Sequence, residues 1–336
     1  MQTEQALAWY DHRLAEIAKE LKEKGSLPRH EFWQRRYYLN PYLLLCSEEE
    51  LRERWNDIFA NVATLTEEGK IGFDLDETKK SQGSMMEAFT HIVEACNSRG
   101  GVQRDYIEMG RAELGKYFLS EPPPGVAMFR ELPKRMSNCI VKFSRREFLK
   151  PMLHGGVVRL APASFYAKGS HLKSVRDLET RKTLRIPAVH EAMSGQTHVE
   201  YEGFNLPIEG GAITMPIEVS DYYLFSACLE LDRRMPTDFE ADAALVIKDM
   251  ARFVRSVKKA FKKSFGQADM YAGPVLYFDP FLWRPKGFVP PEMMKHFGFS
   301  YQKEHRIVAR PIDSKIASEP IFLNIGSMED YAEIVQ

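Results

Sequence analysis

The sequence predicts an α+β protein: an all-helical N-terminal domain over residues 1–125, followed by a mixed, mostly antiparallel β-sheet domain with flanking helices over 126–336. Three observations carry this reading. Apolar residues recur at helical spacing through the first third of the chain. Three consecutive prolines, Pro122, Pro123 and Pro124, then interrupt it with a stiff, extended connector. Beyond Met136 the pattern changes to short runs of branched and aromatic residues, the composition of strands.

In the first part, Leu7, Tyr10, Leu14, Ile17 and Leu21 alternate spacings of three and four, so residues 3–24 form a helix with one apolar seam, stopped by Gly25. A seam this short suits packing on its own domain better than a dimeric coiled coil. Ser47 with Glu50, and Ser84 with Glu87, have the spacing of capping boxes, each ahead of an apolar face: Leu51, Trp55, Ile58, Phe59 and Val62 in one, Met85, Phe89, Ile92, Val93 and Cys96 in the other. The polar stretch 66–83 between them reads as a loop or short hairpin, and 103–119 as a further helix.

In the second part, 138–143 reads as a strand, and Ser144 with Glu147 as the capping box of a short helix broken near Pro151 and ended by Gly155-Gly156. A strand follows over 157–166. The polar stretch 168–185 suggests a loop or a helix bordering a site. Strands are expected at 200–206, 212–219, 222–229, 243–247 and 275–278, with an edge at 321–325. Residues 232–242, dense in charge, read as a polar loop network. Asp249 is placed to cap a helix through Phe261 whose lysines, Lys258, Lys259, Lys262 and Lys263, complement the helix dipole at its end; that account is preferred to a nucleic-acid patch.

Composition narrows the function classes. The 336 residues carry a formal charge of −1, which gives no overall field for nucleic acid or anionic lipid. Four dispersed cysteines form no C-x-x-C pair, which fits a reducing cytoplasm and argues against a zinc knuckle or a disulfide framework. The densely charged N-terminus has no signal-peptide apolar region, and no apolar run approaches the roughly 20 residues of a membrane span. The expected protein is soluble and cytoplasmic. The P-loop, the G-x-G-x-x-G fingerprint, the G-x-S-x-G elbow and the zinc-protease helix are all absent.

The most site-like stretch is 299–308, read as a strand. Its period of two puts Gln302, Glu304 and Arg306 on one face. The bland alternative is a solvated sheet face with a Glu304–Arg306 ion pair contributing at most about 1 kcal/mol. A metal-dependent nuclease would combine Asp279 with Glu304 around a divalent ion, although the 302–306 strand departs from the usual acid-x-lysine pattern.

A strand at 139–143, a short helix, a Gly-Gly turn, a second strand ending in Ser164-Phe165-Tyr166 and a late strand bearing Glu304 together resemble the ADP-ribosyltransferase fold, including the DarT-like toxins of bacteria. The resemblance covers roughly residues 138–325. It implies an NAD-using transferase, a toxin or phage-defence effector, acting on nucleic acid or protein. It implies Glu304, Tyr166 and Gln302 as catalytic residues. Lys142, Ser164, Phe165, Arg176 and Arg233 would hold the cofactor, with Lys142 standing where the family carries His or Arg. The helical domain would take a protein partner, and an oligomer is compatible with this reading. The alternative is a non-catalytic module that recognises a partner or ligand.

Overall fold

The computed structural model describes residues 3–73, 85–130, 138–167, 179–201, 203–282, 288–313 and 315–336, and has the α+β architecture expected. The N-terminal region holds α1 (Thr3–Lys24), α2 (Arg29–Leu39), α3 (Glu48–Val62), a hairpin of β1 (Ala63–Leu65) and β2 (Ile71–Phe73), then α4 (Met85–Asn97), α5 (Arg104–Gly115) and the short α6 (Pro124–Met128). The apolar seam of α1 packs within its own region: Tyr10 and Ile17 are buried in one core with Tyr37, Ile58 and Ile92. The chain leaves α1 at Gly25, whose φ of 72° is the left-handed conformation that favours glycine. Ser47 and Glu50 form the reciprocal capping box, whereas Ser84, the cap expected for α4, lies outside the described residues. Pro124 does not extend the proline connector but opens α6, where its missing N–H costs nothing.

The second region continues with β3 (Ile140–Ser144), α7 (Arg146–Gly155), β4 (Val157–Pro162), β5 (Arg181–Pro187), α8 (Val189–Met193), β6 (His198–Tyr201), β7 (Phe204–Glu209), β8 (Ala212–Glu218), β9 (Tyr223–Cys228), α9 (Met235–Asp238), β10 (Ala243–Ile247) and α10 (Met250–Phe265). It closes with β11 (Ala268–Pro274), β12 (Leu276–Phe278), β13 (Met294–His296), β14 (Glu304–Pro311), β15 (Ile321–Asn324) and β16 (Ala332–Val335). The main sheet runs β11-β14-β9-β3-β10-β16, with β4 and β15 branching from β9, and every pairing in it is antiparallel. A second, four-stranded sheet has the order β5-β8-β7-β6.

One face of the main sheet is covered by α7 and α10. Leu149 and Met152 from α7, and Phe253, Val257 and Phe261 from α10, meet Ile140, Tyr223, Phe225, Leu245 and Ile307. Each such apolar side chain contributes about 1.5–3 kcal/mol by leaving water. On this face Phe225 meets Phe253 at 5.1 Å between ring centroids, and Tyr223 meets Phe261 at 5.9 Å.

Several expectations are corrected by tertiary contacts. Ser144 is the last residue of β3 and caps nothing; the Arg146 N–H at the start of α7 is taken instead by the Asp242 carboxylate at 2.6 Å. Pro151 lies inside α7 without breaking it, and the helix ends at Gly156 (φ 64°), as the Gly-Gly pair required. The strand at 157–166 stops at Pro162, so Ser164, Phe165 and Tyr166 sit on a 3-10 turn. Residues 297–302 are also 3-10, and Lys303 (φ 46°) separates them from β14. The cause lies in α3: Asn61 Oδ1 accepts from the Ser300 hydroxyl (2.6 Å) and the Tyr301 N–H (2.7 Å), holding that segment away from the sheet. The 232–242 segment contains α9, and its Arg233, Arg234 and Asp238 are buried rather than solvated. Of the 168–185 stretch, 168–178 lies outside the described residues and 181–187 is strand β5.

The helical and sheet regions share buried ionic contacts. Arg54 of α3 makes a two-pronged pair with Asp279 (3.1 and 2.6 Å), and both are buried. Arg234 donates to the Ala60 and Ala63 carbonyls at the end of α3 and to Asp238. Gly125 packs so closely on the Arg233 carbonyl that a Cβ there would lie 1.8 Å from its oxygen.

Candidate functional site

Strand β9 has two edges and three partners. Along one edge it pairs with β14, from Glu304 opposite Cys228 to Ala309 opposite Tyr223. On the other edge β3 meets it only at Cys228, and β4 only at Leu224 and Tyr223. Between these contacts β3 and β4 diverge and the sheet splits beside Ser226. Lys142 of β3 reaches into the split, and its ammonium donates to the Ser226 carbonyl at 2.7 Å. The split opens into a cleft of about 240 Å³ whose lining includes Lys142, Arg159, Tyr166, Ser226, Gln302 and Glu304.

Glu304 forms the floor and is 2 % exposed. One of its oxygens accepts from the Ser226 hydroxyl (2.6 Å) and the Arg306 Nε (2.7 Å); the other accepts from the Lys295 ammonium (2.9 Å). Its backbone N–H donates to the Tyr277 hydroxyl (2.8 Å), which fixes the strand end that carries it. Arg306 is fully buried and bridges to a second carboxylate, Glu179, through Nη1 (2.8 Å) and Nη2 (2.6 Å). It also donates to the Glu292 carbonyl (2.7 Å). Glu179 accepts in turn from Lys182 (3.2 Å) and the Tyr222 hydroxyl (3.3 Å).

Burial alone would push both carboxyls toward the neutral form. Against it, Arg306 and Lys295, with hydrogen bonds from Arg306 and Ser226, hold Glu304 well below the usual carboxylate range. Burial is likewise outweighed at Glu179, where Arg306, Lys182 and Lys295 bring the pKa from 4.5 down to about 2. Both are therefore ionised at neutral pH. Burial lowers the Lys142 pKa, assisted by the nearby Arg159 and opposed by Cys228 and Glu304. The charged lining of the cleft is Lys142, Arg159 and Lys295 with the two carboxylates Glu179 and Glu304, and Arg306 and Lys182 pair with those carboxylates.

Four of the site residues read from the sequence meet in this cleft: Glu304, Gln302, Tyr166 and Lys142. Gln302 reaches it from the end of the 3-10 turn rather than from the strand, with its side-chain oxygen accepting from Lys295 (3.1 Å). The solvated-face reading of Glu304 and Arg306 is corrected by their burial. Ser164 does not line the cleft; the Asp221 carboxylate accepts from its N–H (3.0 Å) and hydroxyl (2.6 Å), pinning the turn that carries Tyr166. Phe165 lies beside the cleft, under the Arg159 guanidinium at 5.0 Å and edge-on to Tyr166 at 5.9 Å. Arg233 is directed elsewhere, toward Glu67 (3.1 Å) and the Phe129 carbonyl (3.5 Å). Arg176 lies outside the described residues.

Ser226, Glu179 and Lys295 complete the constellation and were not among the site residues read from the sequence. Ser226 had a signal, being the lone polar side chain in the apolar strand 223–228. Glu179 and Lys295 had none, because only the fold brings them to Arg306 and Glu304. Asp279 is held by Arg54 and does not line the cleft, and among the described residues no group of three or more His, Cys, Asp and Glu side chains is arranged to hold a metal ion. No helix among the described residues is long and apolar enough to cross a membrane. Comparison of the chain with protein-family models, curated proteins and solved structures finds no match, so the site is interpreted from its own geometry and chemistry.

Proposed function

We propose that the cleft takes the nicotinamide–ribose end of NAD and that the protein transfers ADP-ribose to a nucleic-acid or protein acceptor. The observation that carries this reading is an ionised, buried carboxylate, Glu304, held in a sheet split that is also lined by Lys142, Arg159 and Lys295. Breaking the bond between nicotinamide and C1′ of the ribose builds positive charge on the sugar, which a preorganised carboxylate stabilises. Nicotinamide leaves neutral; the acceptor forms a bond to C1′ and gives up its proton to solvent. Because Glu304 stays ionised, its part is electrostatic rather than that of a proton donor. Arg306, Lys295 and Ser226 keep it in place.

The 240 Å³ cleft suits one end of a dinucleotide. The pyrophosphate and adenosine would lie toward its mouth, where Arg159 offers an exposed guanidinium over Phe165. Tyr166 supplies an aromatic wall. The four cysteines are free and buried, which fits action in the cytoplasm.

A second reading, ligand binding without turnover, is favoured by one feature: both Glu304 oxygens already accept hydrogen bonds from the protein. Nicotinamide release from labelled NAD separates the two. The transferase reading expects release by the native chain, and at least a hundredfold loss in Glu304→Gln with the folded state verified by circular dichroism. No release by the native chain with any acceptor class, or equal release by the variant, removes it.

A further inference from the structure

The sequence reading assigned the lysines near residue 260 to the helix dipole, and the structure limits that account. Helix α10 runs to Phe265, so only Lys262 and Lys263 stand in its last turn. The dipole acts within the first or last turn and disfavours cations near the N-terminus. Arg255, Lys258 and Lys259 are therefore left without that explanation. Arg252, in the first turn, is matched by Asp330 at 2.6 Å, but Arg255, Lys258, Lys259, Lys262 and Lys263 make no ion pair among the described residues. The helix itself has no acidic residue. Elsewhere the same chain balances its helix-surface cations: on α1, Lys24 meets Glu20 at 2.7 Å and Lys19 meets Glu23 at 3.9 Å.

The five cations span eight helical steps, about 12 Å at 1.5 Å each. The opposite face of α10 is occupied, since Phe253, Val257 and Phe261 are fully buried against the main sheet. A helix that lies in a membrane inserts its apolar face; this one has no apolar face to insert. What it presents is charge alone, in a row, on the side of the sheet opposite Glu304. We infer that this face of α10 binds the phosphate backbone of double-stranded nucleic acid without reading its sequence. A duplex carries one negative charge for about every 1.7 Å of axis, dense enough to engage all five cations at once.

The test is binding of the full chain to fluorescein-labelled 20-base-pair DNA and RNA duplexes of arbitrary sequence, followed by anisotropy at 50, 100 and 200 mM NaCl. Five phosphate contacts give a salt slope of about 4.5 and therefore an affinity loss of about 500-fold across that range. The variant Arg255→Gln/Lys259→Gln/Lys262→Gln/Lys263→Gln changes exposed side chains only. Circular dichroism checks its fold, and it should lose about 3.6 of the slope and bind at least tenfold more weakly at 100 mM. Whichever duplex binds more tightly at 200 mM identifies the source of the polyanion. Absence of duplex binding at 50 mM salt, binding undiminished in the variant, or tighter variant-sensitive binding to vesicles of one-third phosphatidylserine overturns the inference.

Discussion

Replacing Arg306 by methionine tests whether the ionic cluster beneath the cleft is held as a unit. Methionine keeps the unbranched stem but not the guanidinium, so the loss joins stranded charges to the space the guanidinium filled. Arg306 is 0 % exposed and donates to Glu304, Glu179 and the Glu292 carbonyl. Removing one partner from such a buried set costs about 3–5 kcal/mol, because charges are left uncompensated. Glu179 is one of the charges left behind: Arg306 contributes most among the cations that hold its pKa down against burial, ahead of Lys182 and Lys295. Urea denaturation at pH 7 should therefore show Arg306→Met less stable by about 3–5 kcal/mol. Adding Glu179→Gln should cost less than the sum of the single changes, since it removes one stranded charge.

Acidity supplies a second reading of the same variant. In the native protein both carboxyls titrate below their unfolded values, so their stabilisation is complete above about pH 4.5 and is lost as pH falls toward 2. Without Arg306 their folded pKa values rise, and protonation relieves the variant while it weakens the native protein. The stability gap should therefore narrow below about pH 4.5. A gap under about 1 kcal/mol at pH 7, the size expected of an exposed pair, or a gap that does not shrink on acidification, would refute this reasoning.

Asp279→Asn removes the counter-charge of buried Arg54 and should lower stability by about 3 kcal/mol in the same denaturation assay, with the loss shared by the helical and sheet regions. Gly156→Ala puts a Cβ 2.0 Å from the Gly326 carbonyl oxygen at a φ of 64°. It should cost at least about 2 kcal/mol, seen as a lower thermal midpoint, whereas Gly266→Ala, with open space around it, should cost less.

Local chemistry was legible in the chain and long-range chemistry was not. The Ser47–Glu50 box, the Asp249 cap and the Gly25 stop formed as read, because each needs only neighbours within one turn. The Ser144–Glu147 box had equally good spacing and failed, since Asp242, remote in sequence, reaches the same helix start. Residues 299–302 have the composition of a strand, yet Asn61 draws them into a 3-10 turn. Arg233 and Arg234 read as part of a polar loop network because nothing nearby in sequence reveals the α3 carbonyls that bury Arg234. Glu304 could be singled out by strand period, but its clamp could not. Ser226 and Lys295 reach it, and Glu179 reaches its partner Arg306, from three separate segments.

Those separations have a consequence for when the cleft comes into being. Ser226 and Glu304 stand 78 positions apart, and Glu179 and Arg306 stand 127 apart. Each bond closes a long loop, and contacts of that range form slowly relative to a helix or hairpin. Until β9 has taken its place between its three neighbours, Glu304 is an ordinary hydrated side chain on an unfinished polypeptide. A ribosome-bound or truncated product thus has no poised acid, and any chemistry of the cleft is withheld until synthesis has passed β14 and the sheet has closed.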